Sequence, residues 1–347
     1  MPTIVIDCRF ATLPVGLGRY TRELTTALLR RSDAMSYVLL VRSMDESWIM
    51  TLPKRPMIIQ APFPHYSLRE QISLPGLLRK AKADLLFSPH FNIPSFSSIP
   101  FVVTIHDLIL HHYPNAASVM KRIAYKTLIK RALFRSRSTI AVSGFVKDEI
   151  GRAYPAIDRS KIHVIHEGVD ATFAPAASTD CDEVRARYRL PSSFFLYVGN
   201  AKQHKNVPFL INAFEKAKIP DTDLLLVTGG PEVTSLRLPS RVRLLSSVPD
   251  ADLPALYSAA RCFVTASHYE GFCLPVVEAL ACGCPVIACE SGPLQEVTKG
   301  FMTLIEPTAE AFAQAFRSPP SDRTPHRLWK WEEAAEKTVR VLQESVQ

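Results

Sequence analysis

The sequence predicts an α/β protein built as two doubly wound, Rossmann-like domains facing one another across a cleft. Three observations predict it. Short apolar, β-branched runs alternate with segments of helical period almost throughout, the pattern of parallel strands joined by crossover helices. The alternation restarts near residue 194, after a small and polar stretch. The 347 residues, nearly half of them apolar, are enough for two cores of ordinary size.

In the first half the strand candidates are 3–6, 37–41, 57–60, 85–88, 101–105, 138–142 and 161–165. In the second they are 194–198, 223–228, 242–245, 262–265 and 285–289. Most read as continuous apolar runs, as expected of strands covered on both faces. Helical spacing marks 19–31, 119–134, 208–216 and 253–260. The domain division expected is 1–168, a hinge and linker over 169–193, a second domain over 194–325 and a closing helix over 326–347. That helix has apolar positions at Trp331, Ala334, Ala335, Val339 and Leu342, which suit packing back onto the first domain.

Composition removes several classes. No apolar run approaches the roughly 20 residues of a membrane-spanning helix. The start, MPTIVIDCRF, places Asp7 and Arg9 directly after a short apolar run, which suits a buried first strand and not a secretory signal. The expected compartment is the cytoplasm. Seven cysteines without framework spacing argue against a disulfide scaffold. Cys282-Gly-Cys284 and Cys289 raise zinc as one reading and small residues packed between sheet and helix as the other; no metal is expected.

The formal charge of +8 is uneven. Residues 1–168 carry 23 Lys and Arg against 12 Asp and Glu; the remainder carries 18 against 21. A basic first half suits an anionic membrane surface or phosphorylated lipid, since no nucleic-acid recognition motif accompanies it and no nucleic-acid partner is expected. The segment 119–137 concentrates this charge in Lys121, Arg122, Lys126, Lys130 and Arg131. It reads either as a solvated basic helix or as one that adheres to anionic lipid from the inner face of the membrane.

The most informative string is Glu270-Gly-Phe-Cys-Leu-Pro-Val-Val-Glu278. A strand ends near Thr265, a loop follows, and Pro275 suits the first turn of a helix because its missing N–H lacks an intrahelical partner anyway. Amides from Gly271 to Val276, Pro275 excepted, then sit at a helix start, where they and the dipole favour an anion. Glu270 precedes that start and Glu278 lies one turn inside it.

This string resembles the E-x7-E element of retaining glycosyltransferases of family 4, which have the GT-B fold. Glu270, Gly271, Phe272, Leu274, Pro275, Glu278, Ala279, Ala281, Gly283, Pro285, Val286 and Ile287 match the family pattern, and Cys273 stands where the family has Gly or Ser. The resemblance covers nearly the whole chain. It implies a nucleotide-sugar donor held by the phosphate-facing amides of Gly271, Phe272, Cys273 and Leu274. Glu270 contacts the sugar and Glu278 the ribose. In Tyr197-Val-Gly-Asn-Ala-Lys-Gln-His-Lys-Asn206, Lys205 matches the lysine that reaches the donor diphosphate, with Gly199 and Asn200 in the same loop. Asn200 replaces an arginine common in relatives. Gly229 matches the glycine turn near the nucleotide, and Val248 and Tyr257 match the segment framing the base. The stretch 300–329 is shorter than in the family, so helices are expected to be missing there.

In the first half, Gly16, Gly18 and Arg19 match the family's G-x-G-R-Y, whose glycine amides face the diphosphate. His106 matches a histidine that approaches the transferred sugar, and Asp107 orients it or caps the next turn. His90 and Asn92 resemble acceptor-side positions of bacterial members acting on polysaccharide precursors, and Asp107 joins them as an acceptor-side candidate. The resemblance therefore implies a retaining, metal-independent hexosyltransferase without cofactor. The expected donor is GDP-mannose, with rhamnose or glucose donors behind it, and the acceptor is a glycan or lipid-linked glycan. The alternatives are another GT-B chemistry, such as a sugar-nucleotide epimerase or phosphorylase, and a non-catalytic sugar-nucleotide-binding subunit.

Overall fold

The computed structural model describes residues 1–13, 16–32, 34–95, 97–113 and 118–347. The chain divides into two compact units, Met1–Gly168 with Lys330–Gln347, and Val169–Trp329.

The first unit runs β1 (Thr3–Asp7), α1 (Gly16–Arg30), β2 (Ser36–Val41), β3 (Met57–Gln60), α2 (Leu68–Lys80), β4 (Leu85–Ser88), β5 (Phe101–Ile105), α3 (Ile109–His112), α4 (Val119–Arg135), β6 (Ser138–Ala141), α5 (Gly144–Ala153) and β7 (Ile162–Val164). Its strands form one parallel sheet in the order β3-β2-β1-β4-β5-β6-β7. Central β1 pairs with β2 on one side and β4 on the other, so Ile4 faces both Tyr37 and Leu85 in register. Ile4, Val5 and Ile6 are essentially unexposed, which explains why this strand reads as an unbroken apolar run.

The second unit runs α6 (Ser178–Tyr188), β8 (Ser193–Val198), α7 (Val207–Ala217), β9 (Thr222–Val227), β10 (Val242–Leu245), α8 (Leu253–Ala259), β11 (Cys262–Thr265), α9 (Leu274–Ala281), β12 (Val286–Cys289), α10 (Leu294–Thr298), β13 (Thr303–Ile305) and α11 (Ala309–Arg317). Its parallel sheet has the order β10-β9-β8-β11-β12-β13, the doubly wound order of a dinucleotide-binding half repeated on both sides of the first strand. The core on one face is aromatic: Phe195 meets Phe316 edge-on at 4.8 Å, and Phe214 meets Phe316 at 5.4 Å. The closing helix α12 (Trp331–Val346) belongs to the first unit. Trp331 packs edge-on to Tyr20 at 5.8 Å, and a Cβ on Gly168 would lie 2.3 Å from the Trp331 nitrogen, so only glycine fits there.

Three features depart from the sequence reading. The expected linker 169–193 carries α6, which has Val184 as its one buried residue. Polar contacts hold it instead: Arg187 binds Asp252 at 2.6 Å, and the Tyr188 hydroxyl donates to the same carboxylate at 2.5 Å. A helix without an apolar stripe gives no periodic signal. Strand β13 is three residues long at the sheet edge and was not expected. The stretch 300–329, expected to lack helices, holds α11, capped by the Thr308 side chain and anchored by buried Phe312 and Phe316.

Among the described residues no helix is long and apolar enough to cross a membrane, and no cluster of three His, Cys, Asp or Glu is placed to hold a metal ion. Cys282 and Cys284 are buried thiols, and burial raises their pKa values.

Candidate active site

In the second unit the candidate residues gather at the carboxyl ends of the strands, where ligands of such sheets bind. Strand β11 ends at Thr265, and α9 begins at Leu274 with Pro275 in its first turn. The cap, Cys273, is left-handed at φ 74° and ψ 64°. That region costs a residue with a Cβ about 1–2 kcal/mol, so glycine at this place in the family pattern has a conformational reason. The expected run of free amides is shorter than the sequence suggests: the Val276 N–H donates to the Cys273 carbonyl at 3.1 Å and is spent inside the turn.

Glu270 and Lys205, 65 residues apart, meet directly. The Lys205 ammonium donates to both Glu270 oxygens at 2.7 Å, with the side chains 16% and 7% exposed. A second link fixes the two loops: the His268 N–H donates to the His204 carbonyl at 2.8 Å. Burial, then the Lys205 charge, push the His204 imidazole down to about 4, so at neutral pH the histidine of this loop is uncharged.

Glu278 lies inside α9 and is 1% exposed. The Tyr257 hydroxyl donates to it at 3.1 Å. Tyr257 itself is wholly buried, so it positions Glu278 and does not frame a base by direct contact, as the sequence led us to expect. The loop after β8 is stapled internally. The Gly199 N–H donates to the Val227 carbonyl at 3.0 Å, and the Tyr197 hydroxyl donates to the Asn200 carbonyl at 2.6 Å. The Asn200 side-chain oxygen accepts from the Lys202 N–H at 3.2 Å, so that side chain shapes the loop. Gly229 is exposed after β9, and Val248 is half-buried beside left-handed Ser247. Two buried hydroxyls at strand ends, Thr228 Oγ1 after β9 and Ser291 Oγ after β12, have no hydrogen-bond partner. Thr228 was missed, since a lone threonine after a strand carries no signal.

The first unit organises its own candidates. Gly16 opens α1, and Gly18 lies within its first turn, where a Cβ would sit 2.0 Å from the Leu13 carbonyl oxygen. Gly18 is therefore fixed by close packing. Arg19 is half-buried on the same helix. His106 places Nδ1 2.9 Å from a Glu167 oxygen and Nε2 2.9 Å from the Pro89 carbonyl. Burial opposes its charge, but the Glu167 carboxylate and the Pro89 carbonyl outweigh burial and raise its pKa. Both nitrogens lie within hydrogen-bond distance of these acceptors, so both are engaged within the protein in this arrangement. Asp107 caps the next turn, accepting from the Ile109 N–H at 3.0 Å.

His90 is half-buried against Phe91, with ring centroids 3.9 Å apart, and burial holds its pKa well below the usual range. Asn92 is 1% exposed and donates to Glu70 at 2.9 Å, so it is a buried positioning residue and not a presented acceptor contact.

Two family models divide the chain between them. Residues 14–173 match Glycosyltransferase Family 4, and residues 182–338 match Glycosyl transferases group 1. The chain belongs to these two-domain glycosyltransferases of GT-B fold. It is 29% identical to the O-antigen chain mannosyltransferase B of Escherichia coli, over 83% of each chain. Among solved structures it superposes on sucrose-phosphate synthase from Thermosynechococcus elongatus with a TM-score of 0.78 at 21% identity, over 99% of both chains. It also superposes on HepE from Anabaena in complex with UDP-glucose, with a TM-score of 0.70 at 19% identity, over 99% of this chain and 97% of that one. At these identities the two structures show the fold.

Proposed function

We propose that this glycosyltransferase moves mannose from GDP-mannose to a hydroxyl of a glycan or lipid-linked glycan, with retention at the anomeric carbon and without a divalent metal. The observation that carries the reading is the Lys205–Glu270 pair beside the start of α9, with Glu278 one turn further in. A diphosphate leaving at that helix start meets a lysine charge, the amides of Cys273 and Leu274, and the positive end of the helix. As Lys205 turns to the phosphates, Glu270 is released to accept hydrogen bonds from the sugar hydroxyls. Glu278, held by Tyr257, accepts from the ribose. Catalysis then consists of placing two substrates and stabilising the leaving charge, with the departing diphosphate taking the acceptor proton. The choice of mannose rests on the O-antigen mannosyltransferase relative.

The test is thermal unfolding against a panel of sugar nucleotides. GDP-mannose is expected to raise the midpoint, since a ligand at a hundred times its Kd stabilises by about 2.7 kcal/mol. UDP-glucose and UDP-galactose are expected to leave it unchanged; a response to a UDP-sugar alone overturns the donor assignment. Anomeric configuration of the product by NMR, in buffer with EDTA, checks retention and metal independence together.

We also assign α4 to an anionic membrane surface. Val119, Met120 and Ile123 are 62%, 82% and 60% exposed, beside exposed Lys121, Lys126 and Lys130 and half-buried Arg122. Arg131, expected on this face, is drawn inward and donates to the Ser95 carbonyl. Each basic side chain near an anionic surface contributes about 1 kcal/mol. Liposomes containing phosphatidylglycerol are expected to carry the protein on flotation at low salt and release it at high salt, and neutral liposomes not to carry it. Equal flotation with both overturns the assignment.

A further inference from the structure

An open cavity of ≈ 530 Å³ lies in the first unit, lined by Thr12, Arg22, Glu46, Ser47, Trp48 and Thr51. Its walls are the segments that follow β1 and β2, two paired parallel strands, so it opens at the carboxyl edge of the sheet. Its volume falls in the range of small-molecule sites, about 300–1,000 Å³. None of its residues belongs to the groups assigned above.

Four of the polar groups are fixed in advance. The Trp48 indole N–H donates to Glu46 Oε2 at 2.6 Å, and the Ser43 N–H donates to Glu46 Oε1 at 3.0 Å. The Thr51 hydroxyl donates to the Trp48 carbonyl at 2.8 Å, which ties the end of the segment back to the tryptophan. The Arg22 guanidinium donates to the Ala11 carbonyl at 2.6 Å. Trp48, Glu46 and Arg22 are half-buried, so they line the cavity without being free to wander. A ligand therefore meets side chains already ordered, which lowers the entropy cost of binding.

The chemistry of the lining selects among ligands. Arg22 and Glu46 carry opposite charges, so the cavity has no net sign and a phosphate would meet a carboxylate. An apolar ligand would cover the remaining lone pairs of the Glu46 carboxylate and of the three hydroxyls without offering them a hydrogen bond. A neutral polyhydroxylated ring satisfies both: its hydroxyls pair with the planar carboxylate and guanidinium, and its C–H groups lie against the indole.

We propose that this cavity is a subsite for a neutral sugar unit of the acceptor glycan. The assignment rests on the reading of the protein as a transferase to a glycan, and its test does not require turnover. The full chain without nucleotide is mixed with mannobiose, and magnetisation transfer from protein to sugar protons is measured by NMR. Wild type is expected to show transfer. Trp48→Ala is expected to reduce affinity at least about tenfold, Trp48→Phe to retain most of it, and Thr51→Val to weaken it about threefold, each with the melting temperature recorded as the check on folding. Absence of transfer with wild type, or a folded Trp48→Ala that binds as wild type does, overturns the proposal. Mannobiose binding that depends on Trp48 in a protein that no sugar nucleotide stabilises would leave a sugar-binding site at this cavity and overturn its acceptor role together with the transferase reading.

Discussion

Lys205→Met is expected to damage the protein in two separable ways. Turnover falls by about 10²–10³-fold, the usual loss when one preorganised group facing the developing charge is removed. Stability falls as well. Glu270 is 7% exposed and has both oxygens on the Lys205 ammonium, and removing one partner of a buried pair costs about 3–5 kcal/mol. The 16% exposure of the lysine side chain places this case toward the lower figure. The double variant Lys205→Met, Glu270→Gln separates the two effects. A neutral amide has no charge to strand, so the unfolding free energy measured in urea returns to within about 1 kcal/mol of wild type. Transfer, measured as nucleoside diphosphate release that depends on acceptor, stays low. Activity that recovered along with stability would make Lys205 a structural residue and remove it from the phosphate site.

How far the sequence carried the fold depended on the range of the forces involved. Strands 85–88, 101–105 and 262–265 have the bounds read from the chain, because strands covered on both faces leave continuous apolar runs. Helix α6 was hidden because Arg187, Tyr188 and Asp252 hold it through polar contacts. The donor-side string was legible for a local reason: Gly271, Pro275 and Glu278 sit in one loop and helix start, where position along the chain is position in space. Pairings across 61 to 65 residues were not legible. Nothing in the spacing says that Lys205 meets Glu270, that Glu167 meets His106, or that Arg9 meets Glu70. The clue to the last was present, since Asp7 and Arg9 directly follow a buried strand. Two charges at such a place need partners of their own.

That network gives the first unit its steepest expected dependence on acid. Arg9 is unexposed, donates to Asp7 at 2.8 and 2.6 Å, and reaches Glu70 at 2.7 Å. Glu70 also accepts from the Asn92 amide at 2.9 Å and the Tyr66 N–H at 2.7 Å. Burial would raise the Glu70 carboxyl, but His65 at 3.9 Å, the Arg9 charge and the Asn92 amide outweigh it and hold the group down to about 2, from an ordinary 4.5. A carboxyl depressed in the folded state stabilises above its unfolded value, and that stabilisation is lost as pH falls. The window is therefore about pH 4.5 down to about 2, and the contribution present at pH 7 is about 3 kcal/mol. Glu70→Gln removes this titration while keeping an oxygen for Asn92 and leaving Arg9 its Asp7 partner. The gap in stability between wild type and variant is expected to be widest above pH 5 and to narrow steadily toward pH 2. Urea unfolding at pH 6, 4 and 3, followed through Trp48 and Trp331 of the first unit in a Trp329→Phe background, measures it. Carboxylates outside this network contribute equally to both proteins and cancel in the difference. A gap that stays constant across the series would mean that Glu70 stabilises by packing and hydrogen bonding alone, with its charge offset by the cost of burial.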